Sequence, residues 1–100
     1  MIEGTTSRGF VFHVPEGLKY DAAFLRGVAR LENKKLPEAE RMNAMFEAIT
    51  AVFNNAEEEE RFYKFLASRN ETGRADINEV HEELVEIISF CGEQDDGIKK

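Results

Sequence analysis

The chain has 100 residues, no tryptophan, one cysteine and a formal net charge of -7, which describes one small domain with little room for an elaborate active site. Leu, Ile, Val and Phe supply 26 of its residues, above the roughly 20 % below which a charged chain tends to stay disordered, so a compact core is expected. No stretch approaches the ~18 consecutive apolar residues of a membrane span, and the N-terminus lacks the basic start and apolar run of a signal peptide. Both features point to a soluble, cytoplasmic protein. Cys91 alone forms neither a disulfide framework nor a cysteine zinc site within one chain. Charge is unevenly placed: residues 1–55 carry seven Lys/Arg and seven Asp/Glu, residues 56–100 six and thirteen. Such a balance repels phosphate, which argues against nucleic acid and anionic membranes as partners.

The opening residues read as one side of a hairpin that turns near Ser7-Arg8-Gly9, where glycine supplies the turn. Phe10 to Val14 then alternates, with Phe10, Phe12 and Val14 on one face and Val11 and His13 on the other, the period of a half-buried strand. Its partner is Ile2 to Thr6 or a strand of another chain, which leaves a homo-oligomer open. From Asp21, in N-cap position, to Glu32 the spacing of Phe24, Leu25, Val28 and Leu31 predicts a helix, closed by Asn33-Lys34-Lys35. Pro37 suits the first turn of a second helix, whose stripe of Met42, Met45, Phe46, Ile49, Val52 and Phe53 stops at Asn54-Asn55. Asn55 and Glu58 form a capping-box pattern for a third helix with an apolar side of Phe62, Phe65, Leu66 and Tyr63. After a loop at Asn70 to Arg74, Asp76 and Glu79 open a fourth helix. Its expected stripe is Ile77, Val80, Leu84, Ile87 and Ile88, with Glu79, Glu82, Glu83 and Glu86 facing water and Gly92 ending it. The fold class expected is mainly α: about four helices with a short N-terminal β strand or hairpin, a single domain over residues 1–92 and a flexible tail of mixed charge over 93–100.

Chemistry-bearing patterns are sparse. Ser68 to Glu79 can be set against a calcium loop, with Gly73 at the sharp turn and Glu79 at the last position, but a neutral Ser68 opens it and few carboxylates compensate the ion. A capped interhelical turn accounts for the same residues. His81-Glu82 begins like a zincin motif, yet Val85 stands where the second histidine belongs. His13 and His81 are expected to face solvent and Cys91 to be an inert, half-buried thiol. With no P-loop, dinucleotide fingerprint or nucleophile elbow, neither enzyme activity nor any catalytic, cofactor-binding or metal-binding residue is expected. The Met42, Met45, Phe46, Ile49, Phe53 stripe fits a core helix first, and second a shared role, part core and part groove for helical partners, where methionine adapts well.

Two stretches carry a family resemblance. Ile2-Glu3-Gly4-Thr5-Thr6-Ser7, followed by Gly9-Phe10 and Phe12, resembles the start of the tail assembly chaperones of long-tailed phages and prophages of Gram-positive bacteria. Phe62-Tyr63 and Leu66, Gly73-Arg74-Ala75-Asp76-Ile77, Val80, and Glu82-Glu83-Leu84 with Glu86-Ile87 resemble that family's Gly-Arg turn and final acidic helix. Leu18 to Asn55 matches in helical character and length only. The resemblance implies a non-enzymatic protein of the bacterial host cytoplasm that binds the largely helical tape measure protein and keeps it soluble until tube subunits polymerise around it. It also implies a longer frameshifted form that recruits the tail-tube protein, for which Lys99-Lys100 fits a slippery adenine run. A strongly acidic partner with spare Phe and Met suits that task, covering apolar stripes while its charge keeps the complex dispersed. The expected contact residues are Phe10 and Phe12 on the strand and Met42, Met45, Phe46, Ile49 and Phe53 on the second helix. The alternative is an acidic DNA mimic that inhibits a nucleic-acid-binding protein, or a small protein-interaction adaptor.

Overall fold

The computed structural model describes residues 1–94. Strands β1 (Ile2–Thr5) and β2 (Val11–Val14) form a two-stranded antiparallel sheet in which Ile2 faces Val14 and Gly4 faces Phe12, so the N-terminal strand pairs within its own chain. Gly9, at φ 102°, lets the turn close: its N–H donates to the Thr6 carbonyl and the Thr6 N–H donates to the Phe10 carbonyl, each at 2.9 Å. The Thr6 hydroxyl is buried and accepts from the Phe10 N–H at 3.1 Å, so no polar group is stranded there. Alternation then does what the pattern predicts. Phe12 and Val14 are buried and Val11 is exposed.

A single 3-10 turn at Leu18–Tyr20 leads into α1 (Ala22–Glu32), which packs along α2 (Glu38–Phe53). Asp21 sits at the N-cap of α1, but its side chain makes no capping hydrogen bond. The close approach of α1 and α2 rests on small residues. A Cβ on Gly27 would lie 3.2 Å from the Ala48 backbone nitrogen and 3.3 Å from the Ala44 carbonyl oxygen. This contact sets the rotation of α1: Phe24 and Gly27 are buried, Val28 and Leu31 half-buried, and Leu25, expected on the buried stripe, is exposed. Asn54, at φ 48°, ends α2 in the left-handed conformation that asparagine tolerates.

Helix α3 (Ala56–Ser68) is capped by Asn55, whose Oδ1 accepts from the Glu58 N–H at 3.0 Å. The return arm of the box is replaced, because the Glu58 carboxylate lies 3.4 Å from His13 Nδ1 and 3.5 Å from the Arg61 guanidinium. Asp76 likewise accepts from the backbone N–H groups of Asn78 (3.0 Å) and Glu79 (3.2 Å), and opens α4 (Ile77–Gln94). This helix continues two residues beyond Gly92: a helical glycine costs about 1 kcal/mol relative to alanine but does not by itself stop propagation. Glu93 and Gln94 of the expected tail are therefore helical; its remainder, residues 95–100 with the Lys99-Lys100 pair, lies outside the described residues. The buried side of α4 is Val80, Glu83, Leu84, Ile87 and Cys91, while Ile77 is exposed and Ile88 half-buried. Glu83, expected to face water, is fully buried, and so is Cys91.

Phenylalanine rings join the layers. Phe10 meets Phe62 edge-on at 5.8 Å and Phe53 at 6.4 Å, tying the hairpin to α3 and α2, and Phe12 meets Phe90 of α4 at 5.4 Å and 85°. Gly4 makes the last contact feasible, since a Cβ there would lie 2.7 Å from the Phe12 ring and 2.9 Å from the Phe90 ring. Gly4→Ala is predicted to destabilise the domain by about 1–3 kcal/mol, the usual effect of overpacking, read as a lower urea midpoint. At the far side, burial and, secondarily, the Glu59 carboxylate push the Tyr63 hydroxyl up to about 12 from its ordinary 10. The folded state thus holds this proton more tightly than the unfolded chain, so Tyr63 favours folding below pH 10 and loses that contribution between pH 10 and about 12. Chemical denaturation of the native protein and Tyr63→Phe at pH 9 and pH 11 checks this: the native protein should lose more stability over that step than the variant.

Candidate functional site

The hairpin turn and α4 form a charged clasp. Arg8 lies across α4, with Nη2 2.6 Å from Glu82 and Nη1 3.1 Å from the buried Glu83. Ser7 adds its backbone N–H (2.6 Å) and hydroxyl (3.0 Å) to the Glu86 carboxylate. The hydrogen bond to Glu82 foremost, and then Glu83, raises the Arg8 guanidinium above its ordinary pKa, against the opposing effect of burial. One Glu83 oxygen has no hydrogen-bond partner, which makes the bond from Arg8 to the other decisive for tolerating a carboxylate there. On the opposite edge of the hairpin Arg61 donates to the Val11 carbonyl and stacks over the Phe10 ring at 4.9 Å. His13 is half-buried rather than solvent-facing, with the Glu3 and Glu58 carboxylates 3.7 and 3.4 Å from its ring nitrogens and no hydrogen bond at Nδ1.

These contacts also redistribute the acidic residues. Glu82, Glu83 and Glu86 meet the hairpin turn, Glu59 accepts from the Thr50 hydroxyl at 3.0 Å, Glu60 pairs with Lys64 at 3.1 Å, and Glu79 accepts from Asn70 at 3.4 Å. Each of these six carboxylates thus has a partner within the domain. In the Ser68 to Glu79 turn, Asp76 and Glu79 serve the capped loop.

The second feature is an apolar groove between α4 and the α1–α2 pair. It consists of two adjoining cavities of about 620 and about 300 Å³. The larger is walled by Val28 and Leu31 of α1 and by Val85 and Ile88 of α4, over a floor that includes Leu84. The smaller is of mixed character, walled by Met42 and Met45 of α2 and Ile77 of α4 together with Glu38 and Asn78. Leu31, Arg41 and His81 border both. Val85, Met42 and Ile77 are 47, 38 and 37 % exposed, so the groove presents its apolar walls to solvent. Arg41 is fixed at its centre by a 3.0 Å hydrogen bond from Nε to the Leu31 carbonyl, one of the groups left open at the end of α1.

The expected contact residues divide accordingly. Phe10, Phe12, Met45, Ile49 and Phe53 are buried, and Phe46 is half-buried against the same core. The strand face turns inward because a two-stranded hairpin is not stable in water without an apolar platform. Met42 reaches the surface, and with Met45 it enters the groove wall. Val28, Leu31, Val85, Ile88, Arg41 and His81 were not singled out by pattern as contact residues. The available signal was Val85, an apolar residue off the buried stripe of a charged helix. Comparison of the chain with protein-family models, curated proteins and solved structures finds no match.

Removing Arg8 should expose the dependence of the clasp on Glu83. Arg8→Met is predicted to cost about 2–4 kcal/mol, below the full effect of breaking a buried pair because Arg8 retains 20 % exposure, whereas Glu82→Gln should cost under about 1 kcal/mol. Adding Glu83→Gln to Arg8→Met should restore part of the loss in a double-mutant denaturation cycle, because an amide is less costly to bury unpaired than a carboxylate.

Proposed function

We propose that the protein is a tail assembly chaperone that binds helical segments of a phage or prophage tape measure protein stoichiometrically and keeps them soluble. The observation that carries this reading is the apolar groove: a pair of helix walls, open to solvent and lined in part by methionine, which suits an amphipathic helix of a client. The arrangement of the clasp is consistent with it. The two stretches that resemble the chaperone family lie far apart in sequence but touch in the fold, Ser7 and Arg8 against Glu82, Glu83 and Glu86. They act as one scaffold element that holds α4 beside the groove. The net charge of -7 then keeps the complex dispersed once apolar surface is covered. No bond-making chemistry is required of any residue.

On this reading a long tape-measure-like frame lies immediately downstream of the gene, and co-expression with its product should move that product from the pellet to the soluble fraction. Val85→Glu and Met42→Glu place carboxylates on opposite ends of the groove at exposed positions, so they should abolish solubilisation while leaving the thermal midpoint within a few degrees. If both variants protect the client as well as the native protein does, the groove is not the binding site.

A further inference from the structure

Resting on the reading of the groove as the client site, we infer that it selects an amphipathic helix carrying a carboxylate in the middle of its apolar face. The chain bears a net charge of -7, yet the centre of the groove is basic. Arg41 and His81 border both cavities and therefore lie between them, whereas Glu32 and Lys34 border only the larger and Glu38 only the smaller. Over the span Ile77 to Ser89 that walls the groove, α4 adds no carboxylate to this face, because Glu79 is directed to Asn70 and Glu82, Glu83 and Glu86 to the hairpin turn. Among the described residues, the guanidinium of Arg41 is held by one bond, Nε to the Leu31 carbonyl at 3.0 Å, which leaves both Nη groups to donate. A guanidinium fixed in this way is a preorganised fork for a carboxylate.

An entering helix therefore meets a largely apolar cavity, then Arg41, then a smaller cavity that combines Met42, Met45 and Ile77 with Glu38 and Asn78. The wall from Ile77 to Ser89 spans about 18 Å, close to three helical turns. A helix with apolar side chains at both ends of that span and Asp or Glu between them matches the apolar walls and Arg41; a central lysine would face Arg41 at the same point. Electrostatics disfavour a second copy of this chain as occupant, since two bodies of charge -7 repel.

The test uses the intact protein and three fluorescein-labelled helical peptides of about 18 residues, identical in a Leu stripe and differing only at the central position, Glu, Gln or Lys. Fluorescence anisotropy should show the Glu peptide binding about tenfold tighter than the Gln peptide and the Lys peptide weakest, with the preference shrinking as salt rises. Arg41→Gln should erase the preference, and Val85→Glu should weaken all three peptides. Arg41→Lys, which keeps the charge without the fork, should retain a reduced preference. The peptide series on the unaltered chain decides the matter if Arg41→Gln fails to fold. Equal binding of the three peptides, no binding of any, or a dimer of the protein alone that Val85→Glu dissolves in sedimentation would overturn the inference. Solubilisation of the tape measure protein with no preference among peptides would reject carboxylate selection and leave the chaperone reading intact. The preference without solubilisation would do the reverse.

Discussion

A carboxylate with no solvent access sets the terms on which this domain is built. Glu83 lies on the buried side of α4, among residues that are otherwise apolar, and an uncompensated charge there would cost several kcal/mol. Arg8 supplies the compensation from the tip of the hairpin. A small sheet and a helix at the other end of the sequence are thereby held in one register, since sliding the turn along α4 would separate the pair. Ser7 on Glu86 and Arg8 on Glu82 fix the same placement from either side. The aromatic contacts of Phe10 and Phe12 provide the larger apolar contribution, but they are less directional than the ion pair.

With one side of α4 committed to the hairpin, the opposite side faces the α1–α2 pair. That pair closes tightly on itself through Gly27, Ala44 and Ala48, and Met42, Val85 and Ile77 keep much of their surface in contact with water. The proposed client site is in this sense a remainder: it is the apolar surface that a domain of this size leaves uncovered. Its walls are helices and its central cation is pinned to a helix terminus, so the site is shaped before anything enters it.

Much of the architecture could be read from residue pattern because local rules and burial agreed. Alternation at Phe10 to Val14, glycine at the turn, and Asn55 and Asp76 as caps each had a local cause that the fold retained. Failures came where tertiary contact overrode periodicity. Leu25 lost its place in the core because α1 rotates to bring Gly27 against α2, and a glycine sends no hydrophobic signal. Glu83 reads as one more solvated acid on a charged helix, and its burial depends on an arginine 75 residues away. The same limit applied to the candidate site. A stripe of Met and Phe on α2 does not show which members reach a surface, and the basic centre of the groove combines Arg41 and His81 from separate helices, a juxtaposition no linear motif records.

The long separation between hairpin and platform also bears on how the chain matures on the ribosome. At translation rates of roughly 5–20 residues per second, the hairpin emerges on the order of several seconds before the segment of α4 that it docks on, 75 residues later. During that interval Phe10 and Phe12 have no completed surface to rest against. Docking of the hairpin must therefore wait until α4 has been made, because Arg8 and Phe12 find their partners Glu83 and Phe90 only there.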